Sequence, residues 1–266
     1  MSETAMATTP STSPGQAEPL RATVWASFTS LLRWQLLGIG TALPLIVVVQ
    51  TMLAAGIVIG FGFVIPNITD ATALFLSTGA PAMLLLTIGL VLVPQAVSRM
   101  RTDGTFDFMR SLPAARPLML AVELTVWTAI ALPGLAIGVL VAQLRYSLDL
   151  SINWPLLICS ALLVTVMATA IGYAIAVSMK PMVAQLISQV LVFFVMLFSP
   201  ITFPADQLPQ WFQTLHEYLP IQAGADLLRA GLASDIFDAT SRDVLVLAVW
   251  CVGTVAITLR ALMRRK

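Results

Sequence analysis

The sequence predicts an all-α polytopic membrane protein with six spanning helices, on three observations. Its 266 residues are 58% hydrophobic and only 10% charged, whereas a soluble domain carries about 25% charged residues. The apolar residues gather into long runs without a charge, such as 38–64, Ala71 to Ser98 and Leu124 to Leu144, each long enough to cross a bilayer as a helix. The cations between these runs are unevenly shared, as the loops of a spanning protein require. The mean hydropathy of +0.92 agrees. The net charge of +1 says nothing about partners, and no nucleic-acid partner is expected.

Residues 1–20 hold no Lys or Arg and are rich in Ser, Thr, Pro, Ala and Gly. They lack the basic start and apolar stretch of a secretory signal and read as a disordered cytoplasmic tail, with one membrane domain over 21–266. Leu20 to Leu37 interleaves Trp25, Phe28, Leu31, Leu32 and Leu36 with Arg21, Arg33 and Gln35. With Trp25 and Trp34 at headgroup level, it reads either as a helix on the inner membrane surface or as an extension of the first span.

The first span is set at about 38–64, whose 27 uncharged residues would be roughly 40 Å long as a helix. Asn67-Ile68-Thr69 in the following turn matches a glycosylation sequon, a pattern common by chance. The next spans are set at about 73–97, 118–142, 155–178 and 182–203, with Lys180-Pro181 as a tight inner turn. Between 202 and 242, Trp211, Phe212, Leu215, Tyr218 and Leu219 recur at helical spacing, and Leu227, Leu228 and Leu232 follow Pro220. This pattern suggests two short amphipathic helices at the outer interface, dipping into the membrane. The last span is set at about 244–261, with Arg260 placed to snorkel. With both termini inside, eleven of the fourteen Lys and Arg residues face inward and eight of the thirteen acids face outward, which satisfies the positive-inside rule.

A compact polar island, Arg99 to Pro113, separates the second and third spans. Thr105 to Leu112 can form about two helical turns, with Asp103 or Thr105 as N-cap and Pro113 as the stop. Phe106, Met109 and Leu112 recur at i, i+3, i+6 and would give that helix an apolar edge beside Asp107 and Arg110. A basic loop that only fixes topology is the plainer reading. The other is a docking element whose apolar edge calls for a protein partner, and it is the family resemblance given below that favours it.

Catalytic chemistry finds little support. The only lysines, Lys180 and Lys266, do not follow a glycine, so no P-loop is present and ATP would have to be bound elsewhere. His216, Cys159 and Cys251 form no zinc pattern, and His216 reads as a surface or interfacial residue. Glu123 is the one acid inside a span. Arg116 lies seven residues earlier on the same helical face, so a structural pair is expected. Gln185, Ser188 and Gln189 give the fifth span a polar stripe that would either hold helices together or line a path for substrate.

Arg101-x-x-Gly104-Thr105-x-Asp107-x-x-Arg110-x-Leu112-Pro113 resembles the coupling-helix region of ABC-2 type exporter permeases, with Asp107 where the family more often has Glu. The segment Ser199-Pro200-x-x-Phe203-Pro204-x-x-x-Leu208-Pro209-x-Trp211, with Leu219-Pro220 and Arg229, resembles the re-entrant outer helices that follow their fifth span. The resemblance implies an N-terminal interfacial helix, a cytoplasmic coupling helix and outer re-entrant helices between spans five and six. It also implies two permease chains, identical or related, with two cytoplasmic ABC ATPase subunits. ATP and Mg would be bound by those subunits, with no cofactor in this chain. Arg101, Gly104, Thr105, Phe106, Asp107, Met109, Arg110 and Leu112 would couple to the ATPase. The first and fifth spans would line the path of an amphipathic, drug- or lipid-like substrate out of the cytoplasmic (inner) membrane. Two other classes remain open at this stage: an ion-gradient-driven transporter or channel, and a membrane anchor that transports nothing.

Overall fold

The computed structural model describes residues 23–64, 69–112, 115–146, 150–201 and 208–263. The expectations for residues 1–20, for the Asn67 sequon and for Phe203-Pro204 lie outside these. The regular elements among the described residues are all helical: α1 (Val24–Gly40), α2 (Leu43–Val64), α3 (Asp70–Thr87), a π-turn (Ile88–Leu92), α4 (Val93–Thr102), α5 (Thr105–Ser111), α6 (Arg116–Tyr146), α7 (Trp154–Ser178), α8 (Pro181–Phe198), α9 (Gln210–His216), α10 (Pro220–Leu232) and α11 (Ser241–Met263). Six helical stretches are long and apolar enough to cross a membrane: α2, the continuous α3–π–α4 unit, α6, α7, α8 and α11.

Proline and glycine set the boundaries where hydropathy alone misplaces them. The first span starts at Leu43, not near 38, because Gly38 and Gly40 belong to α1 and Thr41-Ala42 turns before Pro44. α1 is therefore a separate helix, capped by the Thr23 hydroxyl accepting from the Ala26 amide at 3.3 Å. The fifth span ends at Phe198, short of 203. Ser199 takes φ −91°, ψ 139°, as the residue before a proline must to avoid its ring. Pro94 accounts for the π-turn. Without an N–H, and with its ring against the carbonyl four residues back, it cannot continue a regular helix.

α7 is the hub. It packs against α11, α10, α4, the π-turn, α3 and α6, and together with α3 it is the most enclosed span, while α2, α8 and α11 are the least. The closest approach is at the π-turn. A methyl group on Gly172 of α7 would land on the Gly89 carbonyl and against the Pro94 ring. α10 is not a surface amphipathic helix: ten of its thirteen residues are buried among α3, α7 and α11. Its small residues Ala223, Gly224, Ala225, Ala230 and Gly231 admit that packing.

Arg229 of α10 is only 1% exposed. Its guanidinium lies over the Phe75 ring at 3.7 Å, pairs with Asp226 at 2.7 Å and donates to the Ile201 carbonyl. It thus holds the chain just after α8 against α3. His216, expected at a surface, is buried instead, with Nδ1 3.0 Å from the Phe212 carbonyl and its ring edge-on to Phe212.

Candidate functional site

The polar island lies at the end of the bundle where α4, α7 and α11 finish and α6 and α8 begin. Asp103 and Gly104 turn the chain from α4 into α5. Gly104 has φ 76°, a left-handed conformation that side chains with a Cβ disfavour. It occupies the N-cap position without a side-chain cap, so neither Asp103 nor Thr105 serves in the expected role. Leu112 adopts an extended φ, ψ before Pro113 and ends the helix after seven residues.

The apolar edge of α5 is real, but it is already covered. Phe106 is 7% exposed and Met109 5%, and both belong to the chain's own hydrophobic core. They close a cleft whose other walls include Leu31 and Gln35 of α1, Met119 and Glu123 of α6, and Tyr173 of α7, leaving a cavity of about 20 Å³. The expectation that Phe106 and Met109 wait for a partner is therefore corrected. The tight turn at Gly104 folds α5 back under the bundle, so the edge is satisfied within the chain. The outward edge carries Asp107, Phe108 and Ser111, with Phe108 58% exposed, and Arg110 is also exposed. Phe108 was not among the expected contact residues. Its only sequence signal was its place on the face opposite Phe106 and Met109.

The arginines hold helix ends. Arg101 donates to the carbonyls of Ala176 and Met179 at the end of α7, satisfying acceptors that a helix C-terminus leaves open. Arg116 does the same for α11, donating through Nη1 to Leu262 at 2.9 Å and Met263 at 3.0 Å. The expected pair of Arg116 with Glu123 is thus not formed. Two turns of helix separate the residues by roughly 10 Å along the axis, and the α11 carbonyls lie closer to hand. Glu123, buried to 4% exposure, accepts instead from Gln35 Nε2 at 2.7 Å and from Trp127 Nε1 at 3.1 Å. One donor comes from α1 and the other from the next turn of α6, so the carboxylate ties α1 to the third span.

The stripe on α8 does not hold together. Ser188 is buried along the inward seam of Ala184, Val192 and Val195, whereas Gln185 and Gln189 are exposed. Residues 184, 188, 192 and 195 share one helical face, and each glutamine lies about 100° round from a seam residue. The structure therefore brings together the residues around Glu123 and α5 but parts the three of α8.

Fold and site together define a polytopic helical membrane protein with a polar turn built firmly into one end of its bundle. Residues 20–233 match the family model described as ABC-2 type transporter, and the chain belongs to that family as an ABC transporter permease subunit. No curated protein matches the chain. Permeases of this family are transport membrane subunits that associate with an ABC ATPase subunit, which leaves the ion-driven and anchor readings without support.

Proposed function

We propose that this permease is the membrane half of an ATP-driven exporter that moves an amphipathic substrate outward across the cytoplasmic membrane, and that α5 is where the ATPase seats. The observation that carries the reading is the outward edge of α5. A large aromatic, Phe108, is exposed beside Asp107 and Arg110 on a helix whose other edge is anchored in the core, the arrangement of a rigid docking knob. ATP and Mg belong to the ATPase, and this chain transmits the motion. A second permease chain, identical or related, completes the path. Gln185 and Gln189 support that element, since two amide side chains among the exposed Leu186, Val190 and Phe193 of α8 are costly against lipid and better placed against another chain.

The cation asymmetry supports a topology with α5 and both termini in the cytoplasm and α9 outside. Cysteines placed at Thr102 and Gln210, both exposed, test this with an impermeant thiol reagent on intact cells, in a background where Cys159, also exposed, is replaced by serine. Labelling is expected at Gln210→Cys alone. Labelling at Thr102→Cys alone reverses the orientation and removes the docking assignment. Copurification of an ATPase with the chain, with ATPase activity stimulated by substrate, tests the assembly itself.

A further inference from the structure

The side chains along the outside of α11 form a pattern that ATPase docking does not use. Leu245, Val249, Val252 and Ala256 are exposed at spacings of four, three and four, so they make one continuous apolar stripe down the span. The next position on that stripe is Arg260, also exposed. Beside it, a groove of about 940 Å³ runs between the end of α11 and α5. Three arginines line it, Arg101 and Arg110 from one side and Arg260 from the other, against a single acid, Asp107. Arg101 is engaged by the α7 carbonyls. Among the described residues, Arg110 and Arg260 have no ionic partner.

We infer that this groove binds an anionic phospholipid of the inner leaflet, with its phosphate between Arg110 and Arg260 and its acyl chains along the α11 stripe. The inference rests on reading the α5 end as the cytoplasmic one. Charge complementarity selects the headgroup, because the groove carries two cations beyond the one that Asp107 offsets. The stripe selects a lipid over a soluble partner, since Arg260 both lines the groove and ends a continuous exposed apolar face of a helix long and apolar enough to cross a membrane. Basic pockets between spans on the cytoplasmic side suit anionic headgroups in this way. Arg260 would gain from the negative end of α11 wherever it pointed, but that gain requires neither Arg110 across the groove nor a continuous stripe ending at its foot.

The test uses the full chain in detergent, titrated with phosphatidylglycerol and with phosphatidylethanolamine and read by native mass spectrometry. A photoactivatable phosphatidylglycerol carrying its reactive group in the acyl chain maps the site. Phosphatidylglycerol is expected to be retained in preference, and its crosslinks are expected on residues 245–263. Arg110→Gln and Arg260→Gln are each expected to weaken retention about five-fold. Arg260→Lys should restore it, and Arg145→Gln, at the far end of α6, should leave it unchanged. Equal retention of the two lipids, or undiminished retention by the double variant, overturns the proposal. So does displacement of the lipid by added ATPase whose own binding is lost in Arg260→Gln, which would make the groove a protein interface. Failure of any ATPase to copurify would count against the permease assembly alone and would leave lipid retention standing.

Discussion

Phe108→Ala should cut the ATPase loose while leaving the permease folded. A phenylalanine side chain buries roughly 150–250 Å² when fully covered. With Phe108 58% exposed, roughly 115 Å² remains for a partner to cover, worth up to about 3 kcal/mol at 25 cal/mol per Å². Cover of half that area corresponds to about 1.5 kcal/mol, so the ATPase should bind roughly ten- to a hundredfold more weakly. Phe106→Ala is the counterpart. Its side chain is already in the core, and truncating it should cost about 3–5 kcal/mol of fold stability. The assay pairs an ATPase binding isotherm on the purified permease with its thermal unfolding. Phe108→Ala is expected to lose affinity at an unchanged midpoint, and Phe106→Ala to lower the midpoint first. If Phe106→Ala weakens binding at a normal midpoint while Phe108→Ala leaves the Kd within about twofold, the two edges of α5 have been assigned the wrong way round.

Glu123→Gln and Gln35→Ala should each lower the unfolding midpoint of the permease, since each leaves a buried polar group without its partner, at about 1–3 kcal/mol. The double variant should cost less than their sum, and strict additivity in that cycle would show that the two residues do not act as a unit. Gly172→Ala forces a methyl group onto the Gly89 carbonyl at the π-turn and should destabilise by about 1–3 kcal/mol or more. An unchanged midpoint would mean that α7 and the π-turn can separate at no cost.

The six spans were legible in the sequence because the bilayer imposes their length and polarity, and a run without charges has few other uses. Their ends were less so, since hydropathy does not register the turn before Pro44 or the extended residue that Pro200 demands of Ser199. The spacing of Phe106 and Met109 correctly marked one edge of α5. It could not say whether that edge meets a partner or the chain's own α1 and α7, because coverage depends on contacts remote in sequence. Arg116 and Glu123 failed as a pair for a related reason. A shared helical face permits contact, but the nearest partners were carbonyls of Leu262 and Met263, about 146 residues away, and the amide of Gln35. Ser188 parted from Gln185 and Gln189 because a polar stripe at i, i+3, i+4 is wider than the seam one neighbouring helix can cover. Pro113 marked the end of α5 directly, whereas the left-handed turn at Gly104 fell between the two residues expected to cap the helix.

The hydrogen bonds at the α5 end fall where motion would have to be passed on. Arg101 joins α4 to the last turn of α7, Arg116 joins the first turn of α6 to the last turn of α11, and Glu123 joins α6 to α1. Phe106 and Met109 set α5 into the space these helices enclose. A displacement applied at Phe108 therefore reaches α1, α4, α6, α7 and α11 through buried contacts, which resist slippage because close-packed side chains have few other arrangements. α8 stands apart. Among the described residues its side-chain and carbonyl ties to the other helices at this end amount to Ser98 against the Pro181 carbonyl at 3.4 Å, and most of its surface is uncovered. The helix with the two exposed glutamines is thus, like α2, a span weakly tied to the platform around α5. In the assembly proposed above, one surface would be held firm for an ATPase while another is re-shaped toward a second permease chain, and that division of attachments suits both demands.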